Sequence, residues 1–263
     1  MSNETVICEI DSRGIATVTL NNPDKHNAFD DTMIASLSDC FTSLSADNSV
    51  RALVLASTGR SFSAGADLNW MKRMAGYSFE ENLRDANALA NMLKLLNSMP
   101  KPTIARVQGA AFGGAVGLVS CCDIAISASR ASFCLSEVRI GLVPATISPY
   151  VINAIGQRAA RRYFISAERF SAERALNLGL VSEVVDEEEL DSQLEEIIQQ
   201  LLQNGPQAVA AAKQLLFDVA GRNINDDLIA STSERIATIR VSDEGQQGLG
   251  AFLDKQPAPW IKE

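Results

Sequence analysis

The chain has little of what usually marks a metal or redox centre. Its 263 residues include a single histidine, His26. It lies in a polar turn ahead of the first helical pattern, so a surface or capping role is expected there and no histidine-centred mechanism. The five cysteines, Cys8, Cys40, Cys121, Cys122 and Cys134, show no CxxC spacing. Cys121 and Cys122 sit in an apolar, small-residue segment and read as buried packing rather than as metal or redox groups. No apolar run approaches the ~20 residues that span a bilayer. The opening residues carry Glu4, Glu9 and Asp11 in place of the basic-then-apolar pattern of a secretory signal, and a reducing cytoplasm is the expected location. Positive charge is also in deficit. With 23 Lys and Arg against 32 Asp and Glu, the net charge is −9, which disfavours nucleic acid or an anionic membrane surface as the main partner. Local cations and helix N-termini could still bind a phosphorylated ligand.

What is present is ordinary in bulk and unusual in two places. A composition of 46% hydrophobic and 21% charged residues belongs to a soluble globular chain long enough to bury a full core. Two loops of small residues stand out: Ser61 to Leu68, SFSAGADL, and Gly109 to Gly117, GAAFGGAVG. Each follows a β-branched run that reads as a strand (51–55 and 103–107) and each leads into a helix-compatible stretch. Glycine and alanine at such a turn let the backbone approach a ligand with N–H groups free at the helix start. Two amides aimed at one point can hold the negative oxygen of an enolate or tetrahedral species. Glu137, in the nearby SEVRIGL segment, is the carboxylate expected to serve as acid/base, although pairing with Arg139 is an alternative.

The coarse element order follows from periodicity. Residues 5–10 and 15–20 flank Asp11-Ser-Arg-Gly14 and read as a hairpin. Met33, Ile34, Leu37, Phe41 and Leu44 recur at helical spacing over 30–45. A long helix is expected around 78–98, ended by Pro100 and Pro102, and 123–127 reads as a further strand. Alternating strands and helices imply an α/β fold with crossover connections, and nearly charge-free strands imply a sheet covered on both faces. Beyond about residue 145 strand signals fade; segments 157–167, 171–178, 187–203, 206–219, 224–240 and 243–253 all read as helix. A boundary near 195 therefore divides a mixed core, 1–195, from a helical region, 196–263, whose apolar surface suggests an oligomer interface. Asp67 reads as a helix N-cap.

Taken together, Asn22–Ala28, Phe62–Asp67, Lys101-Pro102, Gly109–Gly114, Cys122-Asp123, Phe133–Glu137, Gly141–Pro144 and Gly179–Val181 resemble the crotonase (enoyl-CoA hydratase/isomerase) family, in order and over essentially the whole chain. The resemblance implies a ββα spiral core with a C-terminal helical trimerisation region, and a homo-oligomer that is a trimer or a dimer of trimers. It implies an acyl-CoA thioester as substrate with no metal and no separate cofactor, coenzyme A being part of the substrate. By family position the N–H groups of Ala66 and Gly114 would hold the thioester oxygen, with Gly113 and Gly114 opening a helix whose positive end points at it. Ala64, Gly65, Asp67 and Leu68 would line the adenine and pantetheine path, and Lys25 would lie near the CoA phosphates.

One departure bears on the chemistry. Hydratases of the family carry a second glutamate one turn after the oxyanion glycine, and here that position is Gly117. An isomerase needs only one carboxylate; a hydratase could use Glu137 alone for syn addition; loss of catalysis or another thioester reaction is the third possibility. The stretches 62–74 and 131–149 are similar to bacterial methylglutaconyl-CoA hydratases of leucine breakdown, which implies hydration of 3-methylglutaconyl-CoA to 3-hydroxy-3-methylglutaryl-CoA, with the longer isohexenylglutaconyl-CoA as an alternative substrate. For such a branched, carboxylate-bearing acyl group Gly117 is expected to make room, the substrate's own carboxylate to help hold the attacking water, and Lys72, Arg73 or Arg139 to meet that carboxylate.

Overall fold

The computed structural model describes residues 4–261. The hairpin forms as read: β1 (Val6–Ile10) pairs antiparallel with β2 (Ile15–Leu20). Its turn is closed by Asp11, whose side chain accepts from the N–H groups of Arg13 and Ile15. After helix α1 (Asp31–Ala46), capped by Asp30, come β3 (Ala52–Ser57) and helices α2 (Leu68–Met74) and α3 (Phe79–Asn97). Strands β4 (Thr103–Val107) and β5 (Ala111–Phe112), helix α4 (Gly114–Cys121) and strands β6 (Ile124–Ala128) and β7 (Ser132–Cys134) complete the part rich in strands.

The C-terminal half departs from the all-helical expectation. Helix α5 (Ser148–Ser166), broken at Gly156, starts nine residues before the predicted segment. Pro149 sits in its first turn, where a missing N–H costs nothing. Strand β8 (Phe170–Ser171) precedes α6 (Ala172–Leu178), and strand β9 (Glu183–Val185) precedes a single turn of 3-10 helix at Glu187–Glu189. Helices α7 (Leu190–Leu202), α8 (Pro206–Val219), α9 (Asp226–Arg240) and α10 (Asp243–Leu253) follow. Strands of two or three residues carry no periodicity to read, which is why β7, β8 and β9 escaped prediction.

Two sheets result. The larger has the order β1-β2-β3-β4-β6-β9 and is parallel from β2 onward. Its two faces bury alternate residues of the same strands. Val18, Leu53, Leu55, Ala105 and Val107 join the main core with α1, α3, α4 and α5. Ile15, Val54, Ile104 and Ile126 pack against Leu190 and Ile198 of α7. The sheet is thus covered on both sides, as its nearly charge-free strands implied. A boundary at 195 would cut α7 in two, so the sheet-bound core runs on to about Leu202. The smaller sheet, β5-β7-β8, sits at the end of the larger one and carries the loops of interest. Among the described residues, no helix is long and apolar enough to cross a membrane.

Helix α8 is tied to the core by a polar knot. The Asp123 carboxylate accepts from Thr103 N (2.8 Å), Thr103 Oγ1 (2.9 Å) and the buried Lys213 ammonium (2.7 Å). Truncating Asp123 leaves a buried cation and a backbone donor unpaired, each a costly orphan. Asp123→Ala should lower the unfolding free energy by about 2–3 kcal/mol, read as a reduced urea midpoint.

Candidate active site

Five backbone hydrogen bonds assemble the site. Ser63 N–H donates to Ala110 O, and Phe112 N–H donates to Ser63 O, so the first small-residue loop runs beside β5 like an extra strand. On its other side Phe29 N–H donates to Gly65 O, and Asp67 N–H donates to Phe29 O. Gly113 N–H donates to Cys134 O at 2.8 Å, joining the end of β5 to the end of β7. Gly65 adopts φ +91° with Phe112 O only 2.8 Å from where a Cβ would stand, so only glycine serves there. Gly113, at φ +55°, turns the chain from β5 into α4.

These contacts leave particular groups unspent. Among the described residues neither Ala66 N–H nor Gly114 N–H donates to a protein acceptor. Both residues line a cavity of about 470 Å³, together with Glu137. Gly114 owes its lack of a side chain to Phe29, whose ring tip lies 2.6 Å from the position of a Cβ. Phe29 therefore touches both loops, a role that nothing in the sequence signalled.

Glu137 opens a short 3-10 helix (Glu137–Ile140) directly after β7. Its Oε1 lies 3.3 Å from the Cβ position of Gly113, so the carboxylate rests against the glycine pair. Its Oε2 is buried and is the only such side-chain nitrogen or oxygen without a hydrogen-bond partner among the described residues. Burial pushes its pKa up. The alternative reading as an ion-pair partner of Arg139 does not hold: that guanidinium donates to Ala167 O at 2.6 Å. A buried, unpaired carboxyl in an apolar cleft is costly and fits a proton-transfer role better than a packing role.

The remaining predicted residues are distributed as follows. Asp67 is the cap of α2, accepting from Asn69 N and Trp70 N, and its other oxygen binds Lys25 Nζ at 3.0 Å. That lysine holds the Asp67 carboxyl below its ordinary pKa. Lys25 is half exposed at the loop's edge, while Ala64 and Leu68 are exposed and Gly65 is buried. Gly117 is a correction. It does not line the cavity; a Cβ there would stand 2.2 Å from Ile147 Cγ2, so the space it leaves is filled by Ile147 and not by a ligand. Nor, among the described residues, does a cation line the cavity: Arg73 pairs with Asp31, Arg139 is committed to Ala167 O, and neither they nor Lys72 reaches the lining. Asp85 of α3 does reach it, as a second carboxylate that sequence reading took only as part of a helix.

Residues 11–263 match the family model for enoyl-CoA hydratase/isomerase. The chain belongs to the enoyl-CoA hydratase/isomerase family. A crystal structure of an enoyl-CoA hydratase from Shewanella pealeana is 49% identical, with a TM-score of 0.95 over 98% of this chain and 97% of that one. Pseudomonas aeruginosa AtuE is 34% identical with a TM-score of 0.93, over 98% and 100%. The hydroxycinnamoyl-CoA hydratase-lyase of Pseudomonas fluorescens is 31% identical over 95% of this chain and 92% of its own length. The crotonase-like α/β fold read from the sequence is the observed one.

Two expectations follow from this family member's packing. Gly117→Ala should cost about 1–3 kcal/mol through overpacking, partly recovered in the double variant with Ile147→Ala, and Gly117→Glu should gain no hydratase activity. Glu137 ties stability to pH. A carboxyl raised above its ordinary 4.5 binds protons more readily in the folded chain, so stability falls as pH rises from that value through the raised one, and stays lower above it. Glu137→Gln should therefore raise Tm near neutral pH, with the gain disappearing below the ordinary carboxylate range. Calorimetry across pH checks this.

Proposed function

We propose that this family member adds water reversibly across the 2,3 double bond of an enoyl-CoA. Its substrate on this reading is 3-methylglutaconyl-CoA and its product 3-hydroxy-3-methylglutaryl-CoA, placing the chain in leucine breakdown. The observation that carries the hydratase reading is the buried, unpartnered Oε2 of Glu137 beside the glycine pair. The thioester oxygen would accept from Ala66 N–H and Gly114 N–H, which stabilise the enolate as it forms. Glu137 would deliver its proton to the α carbon while the water oxygen bonds to the β carbon and one O–H bond of that water breaks, the released proton balancing the one that Glu137 gives up. Ala64, Gly65, Asp67, Leu68 and Gly113 would shape the path of the CoA arm, and Lys25 would face its phosphates.

The choice of acyl group rests on the stretches similar to methylglutaconyl-CoA hydratases. They supply Trp70 and Met74 on one wall of the cavity and Glu137 and residues 141–147 on the other. With no cation on the lining, Thr146, whose hydroxyl has no protein partner among the described residues, would meet the distal carboxylate as a neutral donor. Isohexenylglutaconyl-CoA, with a longer tail, is the alternative, and the lone Glu137 near the glycine pair also suits an enoyl-CoA isomerase. Exposed apolar residues on the last helices, among them Leu216, Ile229 and Phe252, support a homo-oligomer, a trimer or a dimer of trimers, and a cytoplasmic location completes the proposal.

Incubation with 3-methylglutaconyl-CoA, a linear 2-enoyl-CoA and a linear 3-enoyl-CoA separates these readings by product mass. The expected result is water addition, faster with the glutaconyl thioester than with crotonyl-CoA; equal kcat values for the two would refute the acyl assignment. Glu137→Gln should abolish hydration, a loss of at least about 10²–10⁴, with CoA binding nearly intact by calorimetric titration.

A further inference from the structure

Water addition needs a group to orient and deprotonate the nucleophile, and α4 supplies none. Gly117 has no side chain, and the volume in front of it is taken by Ile147. The opposite wall is different. Helix α3 turns Asn82, Asp85, Ala86 and Leu89 toward the cavity, at the spacing of one helical face. Among the described residues Asp85 is the only carboxylate besides Glu137 on the lining. The same lining is largely apolar, with Met74, Ala86, Leu89, Leu142 and Val143 among its residues.

The Asp85 carboxylate is held at one end only. Oδ1 accepts from the indole Nε1 of Trp70 at 3.1 Å, and Trp70 is 3% exposed. Trp70 is itself fixed from below, since its backbone N–H is capped by Asp67, the residue that binds Lys25. Oδ2 has no protein partner among the described residues. A carboxylate so clamped presents one acceptor oxygen to the cavity in a set orientation. The charged groups near it are Asp31 on α1 and Arg73 on α2, which are paired with each other, while Glu137 shares the cavity lining. Burial raises the Asp85 pKa, and the Trp70 hydrogen bond acts in the opposite direction.

We infer that Asp85 is the second catalytic carboxylate of this site, holding the attacking water through Oδ2 and taking its proton, with Trp70 as its positioning residue. The inference rests on the hydratase reading of Glu137. In the step it describes, the water oxygen bonds to the β carbon as one O–H bond breaks, and that proton passes to Asp85. The π pair of the double bond moves to the α carbon, which takes the proton of Glu137. Turnover closes when the proton on Asp85 leaves to solvent and Glu137 regains one. The site thus keeps two carboxyl groups, with the second carried by α3 instead of α4.

The test uses the full-length protein with two readouts: hydration of 3-methylglutaconyl-CoA and of crotonyl-CoA, and exchange of the C2 hydrogens of butyryl-CoA in deuterium oxide. Exchange needs Glu137 and the backbone donors but no nucleophilic water. Asp85→Asn should lower kcat for hydration at least about 100-fold, the scale of a lost general base, with KM within about threefold and exchange retained. It should also remove the acidic limb of the hydration profile. Trp70→Phe, which keeps the carboxylate, should lose about 10-fold and move that limb to higher pH, because a hydrogen bond favouring the ionised form is gone. Hydration unchanged in Asp85→Asn overturns the inference. So does an equal fall of hydration and exchange, which would make Asp85 a packing tie between α2 and α3. Failure of the Glu137 reading shows separately, as hydration that persists in Glu137→Gln.

Discussion

The site depends on a single constraint: two loops and a strand end are fastened to one another by main-chain hydrogen bonds before any side chain acts. Ser63 bonds into β5 in both directions, and Gly113 bonds to Cys134 at the foot of the Glu137 turn. Because those contacts are made by backbone, the free amides of Ala66 and Gly114 are set by strand register and not by rotamers. Preorganised donors of this kind need no rearrangement as charge develops, which is what gives them catalytic weight. The glycines and alanines are there to let main chains approach; at Gly109 the carbonyl of Arg60 stands only 2.0 Å from where a Cβ would be.

Much of this was legible in the sequence, because close backbone approach writes itself as small residues at strand ends. The hairpin, the helix over 31–46, the central strands and the last helices follow from periodicities of two and 3.6, within a residue or two of their observed limits. The short strands of the small sheet did not, since β5 and β8 are two residues long and gain their structure entirely from partners elsewhere. The misreading of Gly117 has a related cause. A missing side chain was read as open space, but whether space is open depends on Ile147, thirty positions away in the chain and in contact in the fold. Asp85 was hidden in the opposite manner: its helix was evident, and the direction its face points was not.

Glu137 and Asp123 show how differently two carboxylates can be used in one fold. Asp123 receives three donors and ties α8 to the sheet. Glu137 is half-buried in the cleft and left with one buried oxygen unanswered. The first arrangement contributes stability. The second subtracts from it and keeps a proton exchangeable, the usual opposition between a stable core and a working cleft.

The large sheet also partitions the interior. Alternate residues of the same strands face either the cleft-bearing helices or α7, and the two apolar clusters share backbone without sharing side chains. Side chains beneath α7 can therefore drift, be swapped for others of similar volume, or be re-engineered for robustness, with the strands transmitting little of it to the reacting end. For anyone reshaping this protein, that hidden flank is the tolerant one, and on the cleft side the glycines already stand pressed against their neighbours.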